Sequence, residues 1–153
     1  MFLKRLTNRA LAPFQLFYWR VTTPQAEGAK ILIEHGGKYL LIRETVGQRN
    51  WTLPGGRARG GEEPAETARR KAIEEAGVVV DDLTALGSYF HTRQGKKDVI
   101  CAFLAKVDSP LYRLDPNIAA EAGWYTITEI MELERSESVD DVLELYTKYR
   151  NQK

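Results

Sequence analysis

Trp51-Thr52-Leu53-Pro54-Gly55-Gly56 is followed by Glu62 and then by Arg70-Lys71-Ala72-Ile73-Glu74-Glu75-Ala76-Gly77-Val78. A glycine pair lets a backbone turn sharply and approach a ligand closely. The residues after it read as a helix over Pro64 to Ala76. Pro64 suits a first turn and Gly77 a helix stop. Residues three and four apart are neighbours on a helix. Position 71 therefore flanks both Glu74 and Glu75, and Glu66, Arg70 and Glu74 form a ladder beside them.

Closely placed carboxylates repel one another when ionised. A hard cation such as Mg²⁺ relieves that repulsion and prefers oxygen ligands. Such ions bridge phosphate oxygens and stabilise charge during phosphoryl transfer or hydrolysis. A solvated acidic helix face with salt-bridge ladders accounts equally for Glu74 and Glu75 taken alone. The full spacing goes further. The pattern G-x5-E-x7-R-E-U-x-E-E-x-G-U, with U aliphatic, is matched at Gly56, Glu62, Arg70, Glu74, Glu75, Gly77 and Val78. It resembles the Nudix box of the MutT-like hydrolases, and the Trp51 to Gly56 approach is how members commonly enter that box.

The resemblance implies a mixed β-sheet in an α/β/α sandwich, and hydrolysis of a nucleoside diphosphate linked to another moiety. It implies Mg²⁺ or Mn²⁺ as cofactor. Glu74 and Glu75 match the family's metal ligands, with a backbone carbonyl at Gly55 or Gly56. Glu62 matches the first box glutamate, and Arg70 the arginine that positions glutamates by ion pairing. Two positions depart. Ala72 for a larger aliphatic is mild. Lys71 stands where the family has a glutamate that acts as metal ligand or general base, and it reverses the local charge.

Three outcomes follow. Lys71 swings outward, leaving a two-carboxylate metal site with a base from elsewhere; or its ammonium replaces one cation and binds phosphate; or catalysis is lost and a binding module remains. Glu121, in Glu121-Ala122-Gly123-Trp124, is the best replacement base, because the stretch resembles an acidic-x-x-Trp element of many members. A solvated loop glutamate is the plain alternative. Arg57 and Arg59 follow the glycine turn and suit a phosphate clamp, or are solvated loop arginines. His91, near a strand end, reads as structural or as substrate-facing. Tyr89, Phe90 and Trp124 read as core, with one of them available to stack on a nucleobase.

Around this motif the chain of 153 residues has the size and composition of one soluble domain. A net charge of +1 gives no reason to expect nucleic acid as partner. The charge is uneven. Residues 1–26 carry Lys4, Arg5, Arg9 and Arg20 and no acid, leaving 18 basic against 21 acidic residues elsewhere, a net −3. Leu3, Leu6, Ala10, Phe14 and Phe17 recur near helical spacing over Phe2 to Arg20, interrupted at Pro13. This N-terminal extension, 1–26, is expected to precede a Nudix-like domain over 27–153. Its basic and aromatic residues suit packing on the domain, a homodimer contact or peripheral membrane contact through residues 1–20; the composition also matches a targeting peptide. The lone Cys101 lies in an apolar run and reads as a core thiol in a reducing, cytoplasmic compartment.

Strands are expected over Ala29–Glu34 and Lys38–Arg43, joined at His35-Gly36-Gly37, and over Trp51–Leu53. Further strands are expected at Val78–Val80, Ala85–Thr92, Asp98–Val107 and Trp124-Tyr125, with a turn at Gln94–Lys97. Thr128 is expected to cap a short helix to Leu133. Ser138 is expected to start a last helix reaching about Tyr149, with Val139, Val142, Leu143, Leu145 and Tyr146 on its apolar face.

Overall fold

The structure is a computed structural model and describes residues 26–47 and 49–153. The expected helix over Phe2–Arg20 and the linker after it lie outside the described residues. Seven strands form one sheet: β1 (Ala26–His35), β2 (Lys38–Glu44), β3 (Trp51–Thr52), β4 (Gly55–Arg57), β5 (Thr84–Arg93), β6 (Lys96–Lys106) and β7 (Ala119–Tyr125). Among the described residues three helices accompany them: α1 (Pro64–Ala76), α2 (Ile127–Met131) and α3 (Glu137–Asn151).

β1 is central. It runs parallel to β6 from Ala26 to Glu34, and β5 extends the sheet antiparallel to β6. β1 and β2 form a hairpin but pair only beside the turn, at Glu34↔Tyr39 and His35↔Lys38. They then diverge. β2 pairs with β3 and β7, while β4 takes the vacated edge of β1 at Gly28↔Arg57, Ala29↔Gly56 and Lys30↔Gly55. The amide of Ile31 donates to the Pro54 carbonyl at 3.0 Å and continues this seam.

Side chains alternate across a strand, and the two cores follow that rule. Ile31, Ile33, Leu40, Ile42, Cys101 and Phe103 face α1, where Ala68, Ala72 and Ala76 let the helix approach closely. Leu32, Tyr39, Leu41, Ala102 and Leu104 face α3, against Val139, Val142, Leu143 and Tyr146. Each fully buried large aliphatic contributes about 1.5–3 kcal/mol. The result is the α/β/α sandwich with a mixed sheet.

Several expectations are corrected. Val78 and Val80 are buried but join no strand; they fill the core against α1, and the Val78 amide donates to the Ala72 carbonyl at 3.1 Å. Gly55–Arg57 is a strand as well as a turn. Between β5 and β6 only Gln94 and Gly95 turn, both with positive φ (50° and 75°), so Lys96 and Lys97 pair within the sheet. The short helix is capped by Thr126, which forms a reciprocal capping box with Glu129. The last helix has Ser136 at its N-cap. Phe90 is 67% exposed, outside the core.

Candidate active site

The N-terminal half of α1 is fixed by a bidentate ion pair. Arg70 Nε donates to Glu62 Oε2 at 2.8 Å, and Nη2 to Oε1 at 2.9 Å. Nη1 of the same guanidinium reaches both oxygens of Glu74, at 3.1 and 3.2 Å, and Nη2 also donates to the Arg57 carbonyl at 2.9 Å. One planar fork thus ties the loop after the glycines to the helix. Glu62 further accepts from Thr67 Oγ1 at 2.7 Å and the Arg59 amide at 3.0 Å. Arg70, with these donors, holds the Glu62 carboxyl down at about 2, against the cost of burial.

Glu74 is surrounded by cations. Beyond Arg70, Arg59 Nη2 lies 3.3 Å from Oε1 and Lys71 Nζ 3.5 Å from Oε2. Burial pushes its pKa up, but Arg70 and Lys71 outweigh that and leave it below the usual carboxylate range. Glu75 differs. Only 6% exposed, it accepts the Gly55 amide at 2.7 Å. Burial raises its pKa despite Gly55, Lys30 and Lys71. Gly55 thus turns its N–H toward the helix. A Cβ there would lie 2.2 Å from the Ala29 carbonyl oxygen at a φ of +154°, so glycine is required.

Lys71 points into this group. A Cβ built on Gly56 would meet Lys71 Cε at 2.7 Å and Nζ at 3.2 Å. The lysine therefore lies along the bare face of Gly56. The outward-swung arrangement is not the one observed.

Two site residues come from strands and were missed. The part-buried Lys30 sends its ammonium to Thr52 Oγ1 at 3.3 Å and the Leu53 carbonyl at 3.0 Å. Burial lowers its pKa, against the charges of Glu75 and Glu44. Lys30 and Glu44 line a cavity of about 230 Å³ with Asn50, Thr52, Tyr89, His91, Ile100, Ser136 and Ser138. Ser136 Oγ donates to Thr52 Oγ1 at 3.0 Å, so the α3 cap supports this wall. A lysine within the apolar run Ala29-Lys30-Ile31 was the available signal. His91 and Tyr89 open onto the cavity, in addition to any structural role. Trp124 packs edge-on to His35 and donates to the Pro110 carbonyl at 2.7 Å.

Other candidates are placed apart. Glu121 is 57% exposed and pairs with Arg43 at 3.3 Å across β2 and β7. Among the described residues its side chain bonds to Arg43, not to α1. Arg57 is exposed and stands 3.9 Å from the buried Asp98.

The sequence model of the NUDIX domain matches residues 24–146. The chain belongs to the Nudix family. It is 28% identical over 127 residues to the human 8-oxo-dGDP phosphatase NUDT18, which covers 80% of this chain but 38% of that protein. The chain thus spans well under half the length of this curated relative. A MutT Nudix hydrolase from Burkholderia pseudomallei is 26% identical, with a TM-score of 0.61 over 67% of this chain and 83% of its own. The Nudix domain of Shewanella oneidensis NrtR, complexed with ADP ribose, shares the fold with a TM-score of 0.70 at 16% identity, over 82% of this chain and 88% of its own. A Caenorhabditis elegans Ap4A hydrolase does so with a TM-score of 0.69 at 20% identity, over 84% and 99%.

Nudix hydrolases generally use divalent metal ions. The box as arranged here does not fit one. Of the expected ligands, Glu74 has both oxygens engaged by Arg70, Arg59 and Lys71, and Glu75 is buried with Oε1 on the Gly55 amide; the neighbouring Glu62 has both oxygens on Arg70. Among the described residues no group of three or more His, Cys, Asp and Glu is placed to hold a metal.

Proposed function

We propose that this Nudix domain hydrolyses a pyrophosphate bond in a nucleoside diphosphate linked to another moiety. The observation that carries the reading is the Glu62–Arg70–Glu74 clamp, which sets Glu75 beneath the Gly55–Gly56 turn. The diphosphate lies over that turn, toward Arg59 and Lys71. The cavity beside Lys30 receives one of the attached groups.

Water adds to one phosphorus, the bond from that phosphorus to the bridging oxygen breaks, and the bridging oxygen leaves on the other phosphate. The water's proton passes to Glu75, whose desolvated carboxylate is a stronger base than an exposed one. Arg59 and Lys71 face the charge that develops on the phosphate oxygens. Arg70 and Glu62 act as positioning residues. This assigns the base to Glu75; Glu121, held by Arg43, is not used.

The test is a screen of nucleotide and nucleotide-sugar diphosphates, with and without Mg²⁺ and Mn²⁺, following phosphate monoester products by ³¹P NMR. Turnover of at least one compound, lost in Glu75→Gln, is expected. No turnover anywhere would leave a nucleotide-binding module. Full activity in Glu75→Gln would remove the assigned base.

A further inference from the structure

Resting on that site, we infer that the Lys71 ammonium is a built-in counter-ion for the substrate's diphosphate, so that the chain binds a diphosphate without a divalent cation. Three observations lead there. The first is position. The Lys71 stem runs along Gly56, and any side chain at 56 would meet its Cε at 2.7 Å. The head thus sits at the turn over which a phosphate has to lie.

The second is unused bonding capacity. An ammonium has three donors. Among the described residues Lys71 Nζ pairs with one carboxylate, Glu74 Oε2 at 3.5 Å, too long for a strong charge-assisted bond. Its side chain is only 23% exposed, so water compensates it incompletely. A phosphate oxygen arriving at Gly56 meets donors already partly stripped of solvent.

The third is local charge balance. Lys30, Arg59, Arg70 and Lys71 stand against Glu44, Glu62, Glu74 and Glu75. Four cations meet four carboxylates. An anionic ligand therefore enters a site with no net charge against it. A glutamate at 71 would leave three cations against five carboxylates, and a diphosphate would then need a metal to enter. The lysine and a metal are alternatives, because each would supply positive charge beside Glu74.

The experiment uses the full chain and inorganic pyrophosphate as probe. Isothermal titration in excess EDTA is expected to show saturable binding to the wild type. Lys71→Met should weaken it tenfold or more. Lys71→Glu should abolish it in EDTA and restore it with Mg²⁺. Independently, Mn²⁺ titration followed by EPR, without nucleotide, should show weaker metal binding to the wild type than to Lys71→Glu, and needs no turnover. Circular dichroism confirms that both variants are folded. Wild-type pyrophosphate binding that appears only with Mg²⁺ would overturn the inference. So would wild-type Mn²⁺ affinity equal to that of folded Lys71→Glu. Absence of hydrolysis together with EDTA-resistant binding would sink the proposed activity and leave this inference standing.

Discussion

Replacing Arg70 by alanine removes the donor fork that joins Glu62, Glu74 and the Arg57 carbonyl. Glu62 is the partner most affected. Its side chain is 12% exposed, and it loses two bonds of 2.8 and 2.9 Å while keeping those from Thr67 and the Arg59 amide. Breaking a fully buried pair costs about 3–5 kcal/mol. The residual exposure here and the two surviving bonds reduce that to about 2–3 kcal/mol. The depression of the Glu62 carboxyl from 4.5 to about 2 sets a compatible ceiling of about 3 kcal/mol. For a chain of this size the loss corresponds to a fall in Tm of about 5–10 °C. The assay is urea denaturation of wild type, Arg70→Ala, Glu62→Gln and the double variant, with a coupling energy of about 2 kcal/mol expected. Because the folded Glu62 carboxyl is depressed, its contribution is full above the unfolded value of 4.5 and vanishes as the pH falls toward about 2. Coupling below about 0.5 kcal/mol at neutral pH would refute the clamp as a structural tie.

Gly55→Ala places a Cβ against backbone at 2.2 Å and is expected to cost about 3 kcal/mol or more, whereas Gly56→Ala meets only the flexible Lys71 stem and should cost under about 1 kcal/mol while displacing that lysine; equal thermal melts of the two would contradict this. Lys30→Met removes the ammonium between the cavity and Glu75 and should raise KM for a turned-over nucleotide more than it lowers kcat; a pure kcat effect would place Lys30 with the reacting atoms instead. Cys101 is buried and its thiol is pushed up to about 12 by burial, so Ellman's reagent should label it only at the rate of unfolding. Fast labelling of native protein would show that the core over β6 opens.

The helix α1 was legible to the residue because its signals are local: a proline at the start, a glycine at the end and glutamates at helical spacing. The spacing also put Glu66, Arg70 and Glu74 in one ladder; Arg70 does pair with Glu74, but its other carboxylate is Glu62, from the loop before the helix, and only the family resemblance pointed to an arginine that positions glutamates. Val78–Val80 misled because a short apolar run has no periodicity to separate a strand from buried coil. β4 was hidden because glycines read as turn, and only pairing with distant Ala29 and Lys30 makes them a strand. Thr126 and Thr128 are both plausible caps, and the glutamate three residues on, Glu129, decides for Thr126. In the site, Lys30 and Glu44 depend on where β1 and β2 diverge, and the engagement of Glu121 depends on the β2–β7 register. Neither is written in a local pattern. The direction of Lys71 is likewise not encoded by spacing, because it depends on the bare face of Gly56 beneath the side chain.

The parallel pairing of β1 with β6 also has a temporal consequence. The β5–β6 hairpin closes through a two-residue turn, but Ala29 must find Cys101, and Tyr39 must find Tyr125, across about half of the chain. Closing long loops is slow, and local pairs form first. The strand that carries Lys30 and receives β4 therefore docks late, and Glu75 reaches the Gly55 amide later still. On that hypothesis, pulse-labelled hydrogen exchange during refolding would protect the amides of β5 and β6 before that of Gly55; simultaneous protection would contradict it. A nascent chain would hold its acidic helix open to solvent and stray cations until the sheet is complete, and ligand affinity would be the last property of this fold to appear.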